Sequence, residues 1–282
     1  MAITTTADLN SLYNLIYDRA LFVARETNIM TGLVRNFSAT GFMARKIAVR
    51  PTVTAQAKAE GVDFANPTTF GRTLLATLTP GVVMAQALLT DEDRDTDPDN
   101  AATDAAQELG AAIATKIDTD LAGDFTSFST DVGDGAGNSA AIADAAAGVS
   151  ILRNAKAPMP IYAVWHPYHW HDLWVELGQP AATYQFLGEV ANEALRSFFV
   201  GAWINVQHFT NANIAVDAND DAISGIFNPG ALGFDSRQDV TMEPERDASL
   251  KATELNMSAA YAHGVIRSTF GVKFTADATT PT

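Results

Sequence analysis

Residues 90–125 constrain the fold most, because they combine an acidic stretch with one long, alanine-rich helical pattern. Asp97 suits the N-cap position, and Pro98 suits the first helical position, where its missing N–H costs nothing. An apolar stripe then recurs every four residues, at Leu109, Ile113, Ile117 and Leu121. With Gly123 as the stop, the pattern predicts a helix over residues 97–122, roughly 37 Å long at about 1.5 Å per residue. Such a helix spans a whole domain and organises much of the fold.

Bulk composition excludes several classes of protein. The chain has 282 residues, of which 47% are hydrophobic, so a disordered protein is disfavoured. It contains no cysteine, which excludes disulfides, thiolate nucleophiles and cysteine-based zinc sites. The best apolar run, residues 198–206, is far shorter than the roughly 20 residues of a membrane-spanning helix, so we expect no membrane partner. The first ten residues carry no secretory pattern, and we expect the chain to be made and kept in the cytosol.

The charge is unevenly distributed along the chain. The formal net charge is −15, which argues against a dedicated nucleic-acid reader. Residues 1–72 nevertheless hold eight basic and five acidic side chains, a net +3, so the rest of the chain carries −18. A basic arm on an acidic body favours contacts between copies of one chain, with the arm of one copy on the body of the next. Ordinary surface scatter is the alternative interpretation.

A two-stranded excursion lies within the basic part. Residues 44–54 and 68–78 both alternate as β-strands, and the polar stretch between them resembles a loop tip. An isolated two-stranded ribbon is marginal in water, so this arm must pack on something else, and a neighbouring subunit is the natural candidate. The basic side chains that we expect at such inter-subunit contacts are Arg45, Lys46, Arg50, Lys58 and Arg72.

Three aspartates alternate just before the long helix, at Asp91, Asp93 and Asp95. Alternating acids are typical of calcium loops, but an EF-hand beginning at Asp91 needs glycine and glutamate where this chain has Thr96 and Ala102. We interpret the segment as solvated turns or helix starts and expect its aspartates at inter-subunit contacts. A divalent-ion site of another kind between subunits stays an open alternative.

The remaining pattern alternates helices and strands. It predicts helices over residues 8–25, 140–155, 167–178 and 187–199. It predicts strands over residues 161–165, 202–209 and 213–216, irregular strand structure over 223–234, and two closing strands within 250–274.

This order of elements resembles the major capsid proteins of tailed double-stranded DNA phages, the family with the HK97-type fold. Three stretches carry the resemblance: the helix ending AAIATKIDTDLAGDF, the strand–proline–helix stretch IYAVWHPYHWHDLW, and the later FVGAWINVQHFTN. The resemblance implies an α+β fold in five parts along nearly the whole chain. These parts are an N-terminal arm (1–40), an extended two-stranded E-loop (41–80), a peripheral domain with its spine helix (81–138), an axial domain (139–245), and closing strands and tail (246–282).

The resemblance also implies a function. We expect a structural major capsid protein that self-assembles into pentamers and hexamers of an icosahedral shell around packaged double-stranded DNA. The DNA contacts would not be sequence-specific, and the chain would assemble in the host cytoplasm and reside in the virion capsid. The sequence lacks the long N-terminal scaffolding region of some relatives, so a separate scaffold protein or a processed chain is implied, with a portal and decoration protein as further partners.

No set of residues predicts catalysis or a cofactor. His166, His169 and His171 are close in sequence, but a helical zinc pair needs histidines four residues apart. We expect them to pack around the tryptophans at 165, 170 and 174. The glycine-rich residues 133–139 lack the lysine that ends a phosphate loop. Two alternatives stay open: an encapsulin-type compartment that encloses protein cargo, and, more remotely, a cytosolic hydrolase that uses the histidines.

Overall fold

The computed structural model of the chain describes residues 29–55, 57–61, 63, 69–96, 100–178, 202–203 and 205–281. The predicted helices 8–25 and 187–199 lie outside these residues, as do the predicted helix start at Asp97 and Pro98 and much of the loop tip.

Five helices lie within the described ranges: α1 (Met30–Leu33), α2 (Asp91–Thr96), α3 (Asn100–Gly123), α4 (Ile142–Asn154) and α5 (Pro167–Gly178). The described strands are β1 (Arg35–Ser38), β2 (Arg45–Val49), β3 (Thr73–Leu78), β4 (Gly81–Thr90), β5 (Ile161–Trp165), β6 (Ala202–Trp203), β7 (Val206–Thr210), β8 (Asp221–Phe227), β9 (Leu232–Asp247), β10 (Ala252–Val265) and β11 (Gly271–Asp277).

Helix α3 is the predicted spine helix, and its 24 residues end at Gly123 as expected. Its stripe faces two cores. Leu109 and Ile113 are buried against a cluster from β10 that includes Met257. About two turns further on, Leu121 is buried in a second cluster with Phe227. The helix therefore joins the two sheets of the protein, because its apolar stripe is long enough to supply a layer to each.

The first sheet has four strands in the order β1–β9–β10–β4. Strand β10 is central and antiparallel to both neighbours, whereas β1 runs parallel to β9. The spine helix covers one face of this sheet. We call the opposite face the open face; its alternate β4 side chains are exposed.

The second sheet has five strands in the order β11–β8–β5–β7–β6. Helices α4 and α5 pack on it, with Leu152 and Leu173 buried against Trp165 and Phe274. Strand β5 and helix α5 have the predicted bounds, and α4 begins two residues later than predicted.

Strands β2 and β3 form a separate antiparallel ribbon, as predicted, although each is shorter than expected. The pairing is interrupted by a bulge between Ile47 and Ala48. The ribbon belongs to neither of the two larger sheets.

Two predicted strands are wrong in detail. Residues 213–216 form a turn with one isolated bridge from Val216 to Ala222. Polar side chains here give the backbone local hydrogen-bond partners in place of a strand; Asn211, for example, accepts the Asn213 N–H at 2.8 Å. The predicted strand 202–209 is divided into β6 and β7 by Asn205, whose φ of 64° no strand accommodates.

Residues 223–234 contain most of β8, a turn at 228–231 and the start of β9, a strand of 16 residues whose pairing with β10 shifts register twice. Strands β1 and β4 were not predicted at all. The two closing strands exist, but β10 belongs to the four-stranded sheet and β11 to the five-stranded sheet. The five-part division stays a prediction, and β9 crosses its expected boundary at residues 245–246.

Candidate assembly surfaces

The base of the ribbon is fixed to the four-stranded sheet by a buried ion pair. Arg45 donates from Nε to Asp235 Oδ2 at 2.8 Å and from Nη2 to Asp235 Oδ1 at 3.2 Å. Asp235 is fully buried, and Arg237 approaches the same carboxylate at 2.6 Å. Arg45 also donates to the Ser38 carbonyl at 3.0 Å. The sequence suggested Arg45 as an inter-subunit contact; in the structure, its guanidinium is engaged within its own chain.

The rest of the ribbon exposes apolar side chains to solvent. Met43 is 84% exposed, and the other large apolar side chains more than a third exposed among the described residues of 41–80 are Phe42, Val53, Phe70, Leu74 and Leu75. A two-stranded ribbon has too few residues to bury such side chains by itself. The ribbon is therefore an unpartnered apolar surface within this single chain.

Basic side chains accompany this apolar surface. Lys46, Lys58 and Arg72 are exposed, and no described residue forms an ion pair with any of them. Arg50 lies over the Phe70 ring, 5.0 Å from its centroid, and donates to the Phe70 carbonyl at 3.3 Å. Four of the five predicted basic residues thus lie on the solvent side of the ribbon.

The open face of the four-stranded sheet is apolar along its edge and acidic beside it. Val82, Met84 and Leu88 on β4 are each more than half exposed. The neighbouring strands present a row of carboxylates, in which Glu254 on β10 lies opposite both Leu88 and Glu245 on β9. Sequence reasoning missed this surface because it did not recognise β4 or β9; the β4 segment GVVMAQALLT is almost uniformly apolar, and its alternation of burial is visible only in the structure.

The predicted acidic residues lie beside this face. Asp91 accepts two hydrogen bonds from Arg246, at 2.9 and 2.7 Å, which ties α2 to the end of β9. Asp95 is exposed on α2, and the side chain of Asp93 lies outside the described part of the structure. Within the described chain, Arg45 binds Asp235 and Asp91 binds Arg246, so these two predicted contact residues do not pair with each other.

A buried carboxylate on the spine helix holds the chain where it leaves the N-terminal region. Asp118 is fully buried and accepts the backbone N–H groups of Ile29 at 3.3 Å and Met30 at 3.1 Å. The Asn213 side chain donates a further hydrogen bond. Burial raises the pKa of Asp118, and these three hydrogen bonds oppose that rise. No sequence signal could have linked residues 88 positions apart.

The histidine cluster serves the packing of the five-stranded sheet. His169 is buried, with Nδ1 2.8 Å from Ser224 Oγ and Nε2 3.0 Å from the Ala276 carbonyl. Burial and, to a smaller extent, the charge of His169 lower the pKa of His166 to about 4. His171 is half exposed beside Asp172. In the part of the chain that the structure describes, no three His, Cys, Asp or Glu residues are grouped to hold a metal ion.

A second titratable cluster joins the end of the spine helix to β10. His263 Nδ1 lies 2.9 Å from Asp124, and the Tyr261 hydroxyl donates to Asp120 at 2.8 Å. The hydrogen bond to Asp124 raises the pKa of His263. Lys116 also pairs with Asp120. This cluster is structural: its groups face one another across two packed elements.

Among the described helices, none has the length and apolarity needed to cross a bilayer. The described grooves are shallow; one of about 550 Å³ lies between the ribbon and the turn after β10. A spine helix between two sheets and a ribbon that needs a partner define a subunit of a larger protein shell.

Solved structures share this fold. A Mycobacterium phage Che8 structure is 20% identical, covers 88% of this chain and 90% of its own, and has a TM-score of 0.67. The head structure of Helicobacter pylori bacteriophage KHP40 is 11% identical, covers 87% and 88%, and has a TM-score of 0.69. A virus-like particle from Pyrococcus furiosus is 12% identical, covers 93% and 98%, and has a TM-score of 0.62. No curated protein sequence matches the chain.

A family model described as phage capsid protein matches residues 85–274. The chain belongs to this phage capsid protein family. It is a major capsid protein with an HK97-like fold, and its place is the virion capsid, where it forms the shell with copies of itself. The resemblance stated from the sequence is thereby confirmed for fold and family.

Proposed function

We propose that this capsid protein assembles into pentamers and hexamers that close an icosahedral shell around double-stranded DNA. The observation that carries the proposal is the ribbon, which leaves the body from a fixed base and exposes apolar side chains that its own chain does not cover. Burial of apolar surface is the main favourable term in association, and a ribbon of this kind gains it only on another subunit. Many such contacts per subunit add through multivalency to a stable container.

The ribbon contacts are further supported by charge. Lys46, Lys58 and Arg72 on the ribbon have opposite sign to Asp95 and to the carboxylates beside the open face. We propose that Lys46, Arg50, Lys58 and Arg72 meet acidic surface of adjacent copies, near Asp91, Asp93 and Asp95. Arg45 acts differently, because its pair with Asp235 sets the direction of the ribbon rather than touching the neighbour.

The chain's role toward its other partners is mechanical. The net charge of −15 disfavours tight adhesion of packaged DNA, so contacts with it are not sequence-specific. A separate scaffold protein, a portal and a decoration protein complete the proposed assembly, which takes place in the host cytoplasm. The protein works without catalysis and without a cofactor.

The test is electron microscopy with light scattering of the expressed chain, with and without the products of neighbouring genes. Closed shells or rings with five- and six-fold symmetry are expected, with DNA rather than protein cargo in shells from infected cells. The charge-reversed variant Lys46→Glu/Arg72→Glu is expected to stay unassembled while keeping the circular dichroism of the parent. Arg153→Glu/Lys156→Glu is the matched control, since both residues are exposed on another surface and the charge change is the same. A persistent small oligomer of the parent chain under all these conditions would overturn the proposal.

A further inference from the structure

A groove of about 550 Å³ lies where the ribbon, at the end of β2 away from Arg45, meets the turn after β10. Its apolar wall includes Val49 and Leu75 from the ribbon and Ile266 from the turn, and hydroxyl groups line its rim. Two arginines also line it, Arg50 from the ribbon and Arg267 from the turn. The groove therefore combines an apolar lining with two cations, which fits a ligand that carries both apolar and acidic groups.

Both guanidiniums lack an acidic partner within the described chain. Arg50 lies 5.0 Å from the ring centroid of Phe70, and Arg267 lies 5.0 Å from that of Phe270. No described carboxylate lies within 4 Å of either. In a chain with a net charge of −15, two neighbouring cations that contact aromatic rings and, for Arg50, a backbone carbonyl, but no carboxylate, indicate a surface that an acidic partner completes.

The end of the four-stranded sheet beside the β9–β10 turn carries acidic and apolar side chains, which complement the arginines and the apolar wall of the groove. Glu245 and Glu254 lie directly opposite each other on β9 and β10, an arrangement that is unfavourable without a nearby cation. Glu254 accepts a hydrogen bond from Gln86 at 2.9 Å, which leaves the pair's charge in place. Leu88, in the same row, is 51% exposed, and Leu250 in the hairpin turn is 58% exposed.

We propose that this acidic and apolar sheet end, formed by Leu88, Glu245, Leu250 and Glu254, occupies the Arg50–Arg267 groove of a second copy. Two carboxylates that repel each other in one subunit then meet two guanidiniums that lack carboxylates in the other. The leucines meet the apolar wall of the groove. The inference rests on the proposed shell assembly, and it names one specific contact within that assembly.

The absence of cysteine in the chain allows a direct test by disulfide trapping. Thr269→Cys, exposed at the groove rim, and Leu250→Cys are made on separate chains, mixed, assembled and oxidised. A covalent heterodimer is expected in shells and not in unassembled protein. Ser150→Cys, exposed on α4, mixed with Leu250→Cys, is the matched control and is expected to stay monomeric. Intact shells without the Thr269–Leu250 crosslink would overturn this inference and leave the proposed function standing.

A charge exchange tests the ionic part of the contact. Arg267→Glu and Glu245→Arg are each expected to lower shell yield at least about tenfold, because the small effect at each contact is repeated at many contacts in one shell. The double variant is expected to recover most of the yield, whereas Arg153→Glu leaves it unchanged. Failure of the double variant to recover, with the Thr269–Leu250 crosslink absent, contradicts the inference. If thiol labelling of Thr269→Cys is blocked only in DNA-filled shells, packaged DNA rather than a second copy occupies the groove, and the inference is wrong.

Discussion

The carboxylate of Asp235 accepts two hydrogen bonds from Arg45, across 190 positions of sequence. Asp235 is fully buried, while Arg45 stands at the first position of the ribbon strand β2. The pair therefore fixes the start of the β2–β3 ribbon, which has no hydrophobic core of its own, to the rigid four-stranded sheet. An arm that leaves the body at a fixed angle loses less conformational entropy when it docks, which favours assembly.

Removing the buried carboxylate tests this relationship. Asp235→Ala leaves the guanidiniums of Arg45 and Arg237 without their partner, and we expect it to lower the free energy of unfolding by about 3 kcal/mol. Urea denaturation of the unassembled protein measures the change. Lys46→Ala, next to Arg45 but exposed, is the control and is expected to change stability by less than about 0.5 kcal/mol. Equal stability of Asp235→Ala and the parent would show that the pair contributes nothing net.

The sequence alone was sufficient to predict the helices and strands whose pattern of apolar residues is strong. The stripe ending at Leu121 gave the spine helix, and the short apolar run at 161–165 gave β5. Strand β9 was missed because its second half, with Glu243 and Glu245, has one exposed polar face and resembles a loop in sequence. The pairs Arg45–Asp235 and Asp118–Met30 depend on tertiary contacts that no local pattern records. The charge pattern could therefore predict candidate assembly residues, but it could not show which of them bind within their own chain and which bind a neighbouring subunit.

The N-terminal attachment depends on Asp118. In Asp118→Ala, the backbone N–H groups of Ile29 and Met30 and the Asn213 side chain all lose their acceptor. A buried donor without its acceptor costs about 1–3 kcal/mol; because Ile29 is exposed and alanine removes the cost of burying a charge, we expect a net loss of roughly 2–3 kcal/mol of stability. Amide hydrogen exchange is expected to accelerate first at Met30. Asp118→Asn keeps one acceptor oxygen and removes the cost of burying a charge, so its free energy of unfolding should fall less than that of Asp118→Ala. An equal decrease in the two variants would argue against the hydrogen-bond explanation.

A close approach at Gly271 permits the aromatic cluster beneath the spine helix. A Cβ at Gly271 would lie 2.3 Å from the ring of Phe128, which is buried and 6.3 Å from Phe227 between ring centroids. Gly271 has ordinary extended backbone angles, so the effect of Gly271→Ala is steric, and we expect a loss of about 1–3 kcal/mol. Gly81→Ala, also at the start of a strand but with no atom within 4 Å, is the matched control. Thermal unfolding should show partial recovery in Gly271→Ala/Phe128→Leu, and no recovery would place the cause elsewhere.

The buried histidines predict a specific loss of stability in acid. The pKa of His166 falls from 6.5 when unfolded to about 4 when folded, because burial disfavours its charged form and His169 adds to this. The unfolded chain therefore binds the proton first as the pH drops, and stability that is complete above pH 6.5 declines between pH 6.5 and about 4. The loss from His166 alone is roughly 3 kcal/mol. Urea midpoints measured across this range should fall less steeply in His166→Gln than in the parent.

His263→Asn is the contrasting control. The pKa of His263 is raised by Asp124, so its contribution to stability is complete below pH 6.5 and declines only as the pH rises through its folded pKa. The slope below pH 6.5 should therefore be unchanged in His263→Asn, and a parallel loss of slope in both variants would contradict the assignment to His166.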